Sequence, residues 1–353
     1  MTTDAATTDA ALTPEERAAA VLACAPGMTP ARLRDLVHRR GGARAALAAQ
    51  PPGRVDERRI AATLARRRTR VYVEGRQGYP IADAVPARPA VLLAEGDAPD
   101  VLRQPRVAVV GTRSCTLHGR RDAYDLGAFL ARAGITVVSG LAIGIDGAVH
   151  EGALDAGGGA VGVVATGLDI VYPRRHASLF DRVRRQGLLV SECAFGVEPT
   201  RGRFPVRNRI IAGLADVVVV VEATLAGGAR ITAGFALDYG RAVLAMPGSR
   251  RNPAAAGCNA LLADGAHPLL DPDDVLVALG LTPGGRRGWG APTPRPRPQG
   301  DAAALLRACG GEPASADQLA SRTGFPPDRV ALAVRELERT GWIARERGYC
   351  WPR

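Results

Sequence analysis

The central part of the chain alternates two patterns. Short β-branched runs stop at or near glycine, and stretches of about ten residues with apolar positions three and four apart follow them. The runs at 107–110, 135–138, 160–164, 188–190, 217–221 and 242–245 predict strands, and the stretches near 119–132, 146–156, 176–186, 206–214 and 230–240 predict helices. Strands separated by helices of that length predict a doubly wound, Rossmann-like parallel sheet. Five consecutive valines, Val217 to Val221, suit a central strand covered on both faces.

The flanks carry different patterns. Residues 1–11 are mostly Ala, Thr and Asp and predict disorder. Thr13-Pro14-Glu15-Glu16 combines an N-cap, a proline at the first helical position and a capping-box glutamate, opening a helix to about Cys24. A second helix follows Thr29-Pro30 and ends at Gly41-Gly42, and a third stretch runs from Arg58 to Arg70. Residues 1–75 thus predict a small helical domain of sterile-alpha-motif or helix-hairpin-helix type, in which Arg66, Arg67, Arg68 and Arg70 form a solvated face. Val71-Tyr72-Val73 marks a transition, and Ala90 to Leu93 predicts a strand. The α/β domain spans 76–282. The Pro-, Gly- and Arg-rich segment 283–300 predicts a linker. Residues 301–353 predict a winged helix: three helices, the third opened by Asp328 with an apolar stripe of Val330, Val334 and Leu337, then a hairpin around Glu346-Arg347-Gly348. Glu336 and Glu338 among the arginines of that third helix favour an interaction module over sequence recognition.

Composition narrows the function classes. A net charge of +11 and a pI near 10.2 suit a polyanionic partner, but every basic residue is arginine, and a GC-rich coding bias accounts for part of that total. Placement of arginines therefore matters more than their number. Six scattered cysteines without a Cys-x-x-Cys pair predict neither a zinc site nor a disulfide framework, and suit a reducing cytoplasm. No secretory signal or membrane span is expected, and no metal or cofactor.

Chemistry concentrates at the carboxyl ends of the first two strands, where an open parallel sheet binds ligands. The first turn supplies Gly111, Thr112 and Arg113, the second Ser139, Gly140, Gly144 and Asp146. Arg113 stands where a dinucleotide fingerprint needs its second glycine, and a chain without lysine has no Walker A loop. Asp146 and His150 are four apart on one helix, but no third ligand accompanies them, and Asp146 serves more simply as an N-terminal cap. Ser191-Glu192 and Glu222 end strands at the same edge, as caps and loop ties or as ligand groups. From Arg201 to Gly213, four arginines (Arg201, Arg203, Arg207, Arg209), Asn208 and Phe204 lead into a helix whose apolar residues are Ile210, Ile211 and Leu214. Arginines interleaved with an aromatic suit single-stranded nucleic acid, whose exposed bases stack.

The order Gly111-Thr112-Arg113, Ser139-Gly140-x-Ala142-x-Gly144-Ile145-Asp146, Gly167-Leu168-Asp169-x-x-Tyr172-Pro173, Ser191-Glu192, Phe204-Pro205-x-Arg207-Asn208-Arg209-Ile210-Ile211-Ala212-Gly213 and Pro247-Gly248 resembles the DNA-processing protein A (DprA, also called Smf) family. The resemblance extends from about Tyr79 to His267. It implies a non-enzymatic, homodimeric protein that binds single-stranded DNA, protects incoming DNA and loads recombinase A during natural transformation. By residue match, Arg113 and its loop line the DNA pocket, Phe204 stacks on a base, and Arg201 stands where the family often has lysine. Arg207, Asn208 and Arg209 continue the site or tie its loop. Gly227 to Ala233 departs from the family's Ser-Gly-Ser-Leu-Ile-Thr-Ala, His118 replaces a tyrosine, and Ala254 to Ala256 replace a serine-bearing segment. The rival expectation is a nucleotide phosphoribohydrolase-type enzyme, whose Pro-Gly-Gly-x-Gly-Thr turn Pro247-Gly248-Ser249 does not match. A third is a winged-helix transcription factor with a ligand-sensing core.

Overall fold

A computed structural model describes residues 12–51, 55–282, 297–310, 312–346 and 348–352. The disorder expected at 1–11 and most of the expected linker, 283–296, lie outside them. Two compact units divide the chain between residues 289 and 290.

The first unit opens with α1 (Pro14–Ala23), α2 (Pro30–Arg40), α3 (Ala43–Ala48) and α4 (Glu57–Arg67). Thr13 closes the expected capping box with Glu16, and Gly41 ends α2 in the left-handed region. The six-residue α3 escapes sequence reading because it is too short to show a period. The helix expected to reach Arg70 stops at Arg67: Arg68 turns left-handed, and Arg70 begins β1 (Arg70–Val73). Then come β2 (Val91–Glu95), β3 (Arg106–Val110), α5 (Leu117–Arg132), β4 (Thr136–Ser139), α6 (Ile145–Asp155), β5 (Ala160–Val163), α7 (Ala177–Gln186) and β6 (Leu188–Ser191). The unit ends with α8 (Arg203–Leu214), β7 (Val217–Val220), α9 (Gly228–Asp238), β8 (Ala242–Ala245), α10 (Ala256–Ala263), β9 (His267–Pro268) and α11 (Asp273–Ala278).

The sheet has nine strands in the order β1-β2-β6-β5-β4-β3-β7-β8-β9. From β6 to β9 the pairs are parallel, while β1 and β2 join antiparallel at one edge. Strand alternation assigns the two faces. Val107 and Val109 pack with Leu126 and Leu130 of α5 and Val149 of α6, whereas Ala108 and Val110 pack with Ile210, Ile211 and Leu214 of α8. The N-terminal helices do not form a core of their own. Leu22, Leu33, Ala46 and Leu64 share one with Val71, Leu93 and the α7 residues Leu179, Phe180 and Val183.

Arg67 is no solvated residue. It donates through Nε and Nη2 to both carboxylate oxygens of buried Glu95, at 2.6 and 2.8 Å, and Thr69 donates to the same group. This bidentate pair fastens α4 to the end of β2.

The second unit is the expected winged helix: α12 (Gly300–Cys309), β10 (Ala314–Ser315), α13 (Ala316–Thr323), α14 (Pro327–Arg339), β11 (Ile343–Glu346) and β12 (Tyr349–Pro352). Val330, Val334 and Leu337 meet Leu305 and Leu319 in its core. Arg329 pairs with Asp301 and lies over Phe325, so one arginine of α14 braces the unit.

Candidate nucleic-acid interface

β3 is the first strand of the parallel wind. Its successors β4, β5 and β6 run to one side, β7 and β8 to the other, so the crevice at the carboxyl end of β3 is a topological switch point. A cleft of about 680 Å³ opens there. Its walls come from the turn after β3, the start of α6, the turn before α7, the N-terminal half of α8, and the turn between β7 and α9.

Backbone contacts fix the first turn. The Thr112 amide donates to the Glu222 carbonyl at 2.7 Å, and the Ile145 amide donates to the Thr112 carbonyl at 3.4 Å. Gly144 has φ +87°, and a Cβ there would stand 2.4 Å from the Thr112 carbonyl oxygen, so the approach of the two turns requires glycine. With its backbone held, Arg113 extends into solvent. Its guanidinium lies 5.0 Å from the Phe204 ring centroid and has no carboxylate partner among the described residues. Phe204 also meets Tyr172, with ring centroids 5.6 Å apart and planes tilted by 40°. Arg201, likewise exposed and unpaired among the described residues, lines the same cleft.

The other site candidates divide. Ser139 is buried, and its hydroxyl donates to the Val109 carbonyl at 2.6 Å, tying β4 to β3. The Gly140 amide donates to Asp146 at 3.2 Å, and a Cβ on Gly140 would strike the Arg207 guanidinium at 2.5 Å. Arg207 is 5% exposed. It donates to the carbonyls of Gly140, at 2.9 Å, and Val163, and to the Asn208 side chain at 3.2 Å. Its guanidinium therefore clasps the ends of β4 and β5, and burial brings its pKa down to about 10, with the Asp146 charge opposing. Asn208 donates to the Gly228 carbonyl at 3.1 Å, joining α8 to α9 across the cleft. Arg209 pairs with Glu192, and Arg203 reaches the Cys193 sulfur at 3.8 Å; both face a separate cavity. Arg113, Arg201 and Phe204 are thus together at the cleft, with Gly111 and Thr112 in its wall, whereas Arg203 and Arg209 stand elsewhere.

The acids at the edge hold turns. Asp146 accepts from the Gly140 and Ala142 amides, and burial favours its protonated form, against the Arg207 charge and those hydrogen bonds. Glu222 accepts from the Thr116 amide and hydroxyl at 2.8 and 2.6 Å, securing the N-terminus of α5. His150 is fully buried, and desolvation pulls its pKa down to about 3, the Ser139 backbone opposing. Among the described residues no group of three His, Cys, Asp or Glu side chains could hold a metal ion. Nor is any helix among them long and apolar enough to cross a membrane.

Sequence reasoning passed over Tyr172, although the motif Gly167-Leu168-Asp169-x-x-Tyr172-Pro173 contains it; an aromatic in the connection from β5 to α7, on the ligand-binding side of the sheet, was the available signal. It also left the Gly227–Ala233 turn open. That turn lines the cleft, and its added charge turns away: Arg230 donates to the Leu225 carbonyl and pairs with Asp264 at 3.5 Å.

A switch-point cleft that offers arginines and a ring, without the glycine fingerprint of a dinucleotide site, on a chain that also carries a winged helix, defines a Rossmann-like α/β protein of a particular kind. Comparison with known proteins makes this specific. Residues 70–280 match the family described as DNA recombination-mediator protein A, residues 290–348 match the DprA winged helix domain, and the chain belongs to that family. It is 46% identical over 193 residues to the DNA processing protein DprA of Mycobacterium tuberculosis, a match covering 54% of this chain and 50% of that relative. The X-ray structure of DprA from Streptococcus pneumoniae superposes with a TM-score of 0.61 at 30% identity, covering 75% of this chain and 98% of that one. DprA from Helicobacter pylori, whose structure is described in terms of a unique single-stranded DNA binding mode, gives 0.54 at 27%, covering 60% and 95%.

Proposed function

We propose that this protein binds single-stranded DNA in the switch-point cleft, as a recombination mediator without catalytic residues. The observation that carries this reading is the exposed Arg113 guanidinium stacked on Phe204 beside Tyr172. Arg113 and Arg201 hold phosphates, and the aromatic pair takes a base with little sequence preference. Asp146, the acid in the cleft wall, and Glu222 at the same sheet edge both hold turns through backbone amides, which suits binding better than hydrolysis. On this reading the protein works in the cytoplasm as a homodimer, protects incoming DNA and hands it to recombinase A in natural transformation; two linked sites on one strand would raise avidity.

The test is fluorescence anisotropy of a labelled single strand against a duplex of equal length over a salt series. Wild type prefers the single strand and loses affinity as salt rises. Phe204→Ala lowers affinity by about 1–3 kcal/mol, the value of one base–aromatic stack. Arg113→Ala lowers affinity and flattens the salt dependence. Equal, weak binding by all three proteins refutes the assignment. Light scattering checks the dimer, and strand-exchange assays with a bacterial recombinase check loading.

A further inference from the structure

A second cavity, of about 290 Å³, lies on the other flank of α8, between that helix, residues 87–89 and the N-terminus of α2. Arg203, Val206 and Arg209 of α8 face it, while Phe204, Asn208 and Ile211 face the Arg113 cleft; the buried Arg207 touches both. The charge within it is unbalanced. Arg34, Arg203 and Arg209 surround a single acid, Glu192, which feels all three. Arg88, also in the wall, is matched by Glu74 and Asp83. These arginines are only partly buried, but positive charge in excess of its counter-charge in a concave site attracts an anion.

Hydrogen bonding agrees with the charge. Arg203 Nε and Arg209 Nη1 are buried donors with no acceptor among the described residues. The N-terminus of α2, capped by Thr29, adds partial positive charge at the same place. The volume is roughly ten times that of one liquid water, too large for a bare ion. The rest of the wall is apolar, with Pro30, Val164, Ala165 and Val206, and suits the body of a larger molecule.

We infer that this cavity is a second nucleotide site, in which Arg34, Arg203 and Arg209 hold a phosphate and the apolar wall holds the sugar and base. The nucleotide is either a free mononucleotide or a further residue of the strand bound in the cleft. The strand-borne form rests on the single-stranded DNA reading, and the free form stands without it.

The experiment uses the full chain, wild type and the variants Arg34→Glu, Val206→Trp and Arg113→Ala. Calorimetry and thermal shift are run with deoxyadenosine monophosphate and with inorganic phosphate, and anisotropy with oligothymidylates of increasing length. A free-nucleotide site binds the monophosphate at least about tenfold more tightly than phosphate. That binding survives Arg113→Ala and disappears in Arg34→Glu and Val206→Trp. A strand-borne site leaves the monophosphate unbound, but the gain in affinity with strand length falls at least about fivefold in those two variants, whereas Arg113→Ala weakens every length alike. Should Arg34→Glu fail to fold by circular dichroism, Val206→Trp, on a half-exposed position, carries the test. The inference is overturned if phosphate binds as well as the nucleotide, or if no nucleotide binds and the length profile is unchanged. If wild type binds no single strand, the cleft reading falls and the monophosphate titration alone decides the second site.

Discussion

Arg207 and Arg113 are both arginines of the candidate site, yet their surroundings predict opposite consequences of truncation. Arg207→Ala leaves the carbonyls of Gly140 and Val163 without their donor and removes the cation nearest buried Asp146. Breaking a buried charge constellation by removing one partner costs about 3–5 kcal/mol, and an unpaired buried carbonyl about 1–3 kcal/mol. The two overlap, so about 4 kcal/mol is expected for the first unit. With an m-value of about 3 kcal/mol/M in urea, the midpoint falls by about 1.3 M. Arg207→Lys recovers only part, because one ammonium does not reproduce the planar fork that reaches two strand ends. Arg113→Ala, exposed and stacked, changes stability by no more than about 1 kcal/mol. Far-UV circular dichroism in urea reads the α/β unit. Of the three tryptophans, Trp342 and Trp351 lie in the winged helix, so in a Trp289→Phe background fluorescence follows that unit as an internal control. An Arg207→Ala protein with the wild-type midpoint and lost DNA binding refutes a structural clasp and makes Arg207 a ligand group.

Three further outcomes follow from buried charge. Arg67→Ala strands Glu95 beside Thr69 and the more distant Arg184, at 3.6 Å; a loss of about 3 kcal/mol is expected in urea melts, partly recovered by adding Glu95→Gln, and no recovery contradicts the pairing. Burial raises Asp122 from 3.8 to about 6, with His118 opposing, so the folded state holds this proton more tightly than the unfolded chain and stability declines as pH rises from about 4 through 6. Asp122→Asn therefore raises the melting temperature at pH 8, by the equivalent of about 1–2 kcal/mol once partial exposure is allowed for, and has no such benefit at pH 4. His150 behaves in the opposite sense: folded near 3 and unfolded near 6.5, it stays neutral in the core, and wild type loses up to about 1.4 kcal/mol per pH unit below 6.5. The stability deficit of His150→Gln accordingly shrinks between pH 6.5 and 4.5, and a constant deficit argues against a neutral buried ring.

The parallel strands from β3 to β8 were legible because each is a short apolar run, most of them near a glycine, followed by a stretch with its own helical period. The elements that were not legible lack such marks. α3 is six residues long, and β9 is two. β1 is a half-buried edge strand whose only signal is Val71-Tyr72-Val73. At the site, types and positions of residues were legible while their division of labour was not, although a helical reading of one segment contains it. Ile210, Ile211 and Leu214 lie three, four and seven positions after Arg207, the spacing of one helix face. Arg207 must therefore point with them towards the sheet, where a guanidinium persists only if the strand ends satisfy it. Phe204 and Asn208, one turn apart, define the neighbouring stripe along the cleft, and Arg203, Val206 and Arg209 define the third, above the second cavity. Arg201 precedes the helix and Arg113 leaves a turn, so neither is drawn into a core. Arginines that an overabundant composition makes look alike are thus sorted: the helix period gives the clasp, Arg207, and the flank above the second cavity, Arg203 and Arg209, while Arg113 and Arg201 outside the helix remain exposed cations. Only the exposed pair, Arg113 and Arg201, meets the strand at the switch point, so the cleft itself contributes the phosphate contacts of two arginines rather than five, and any salt dependence beyond that belongs to the second cavity.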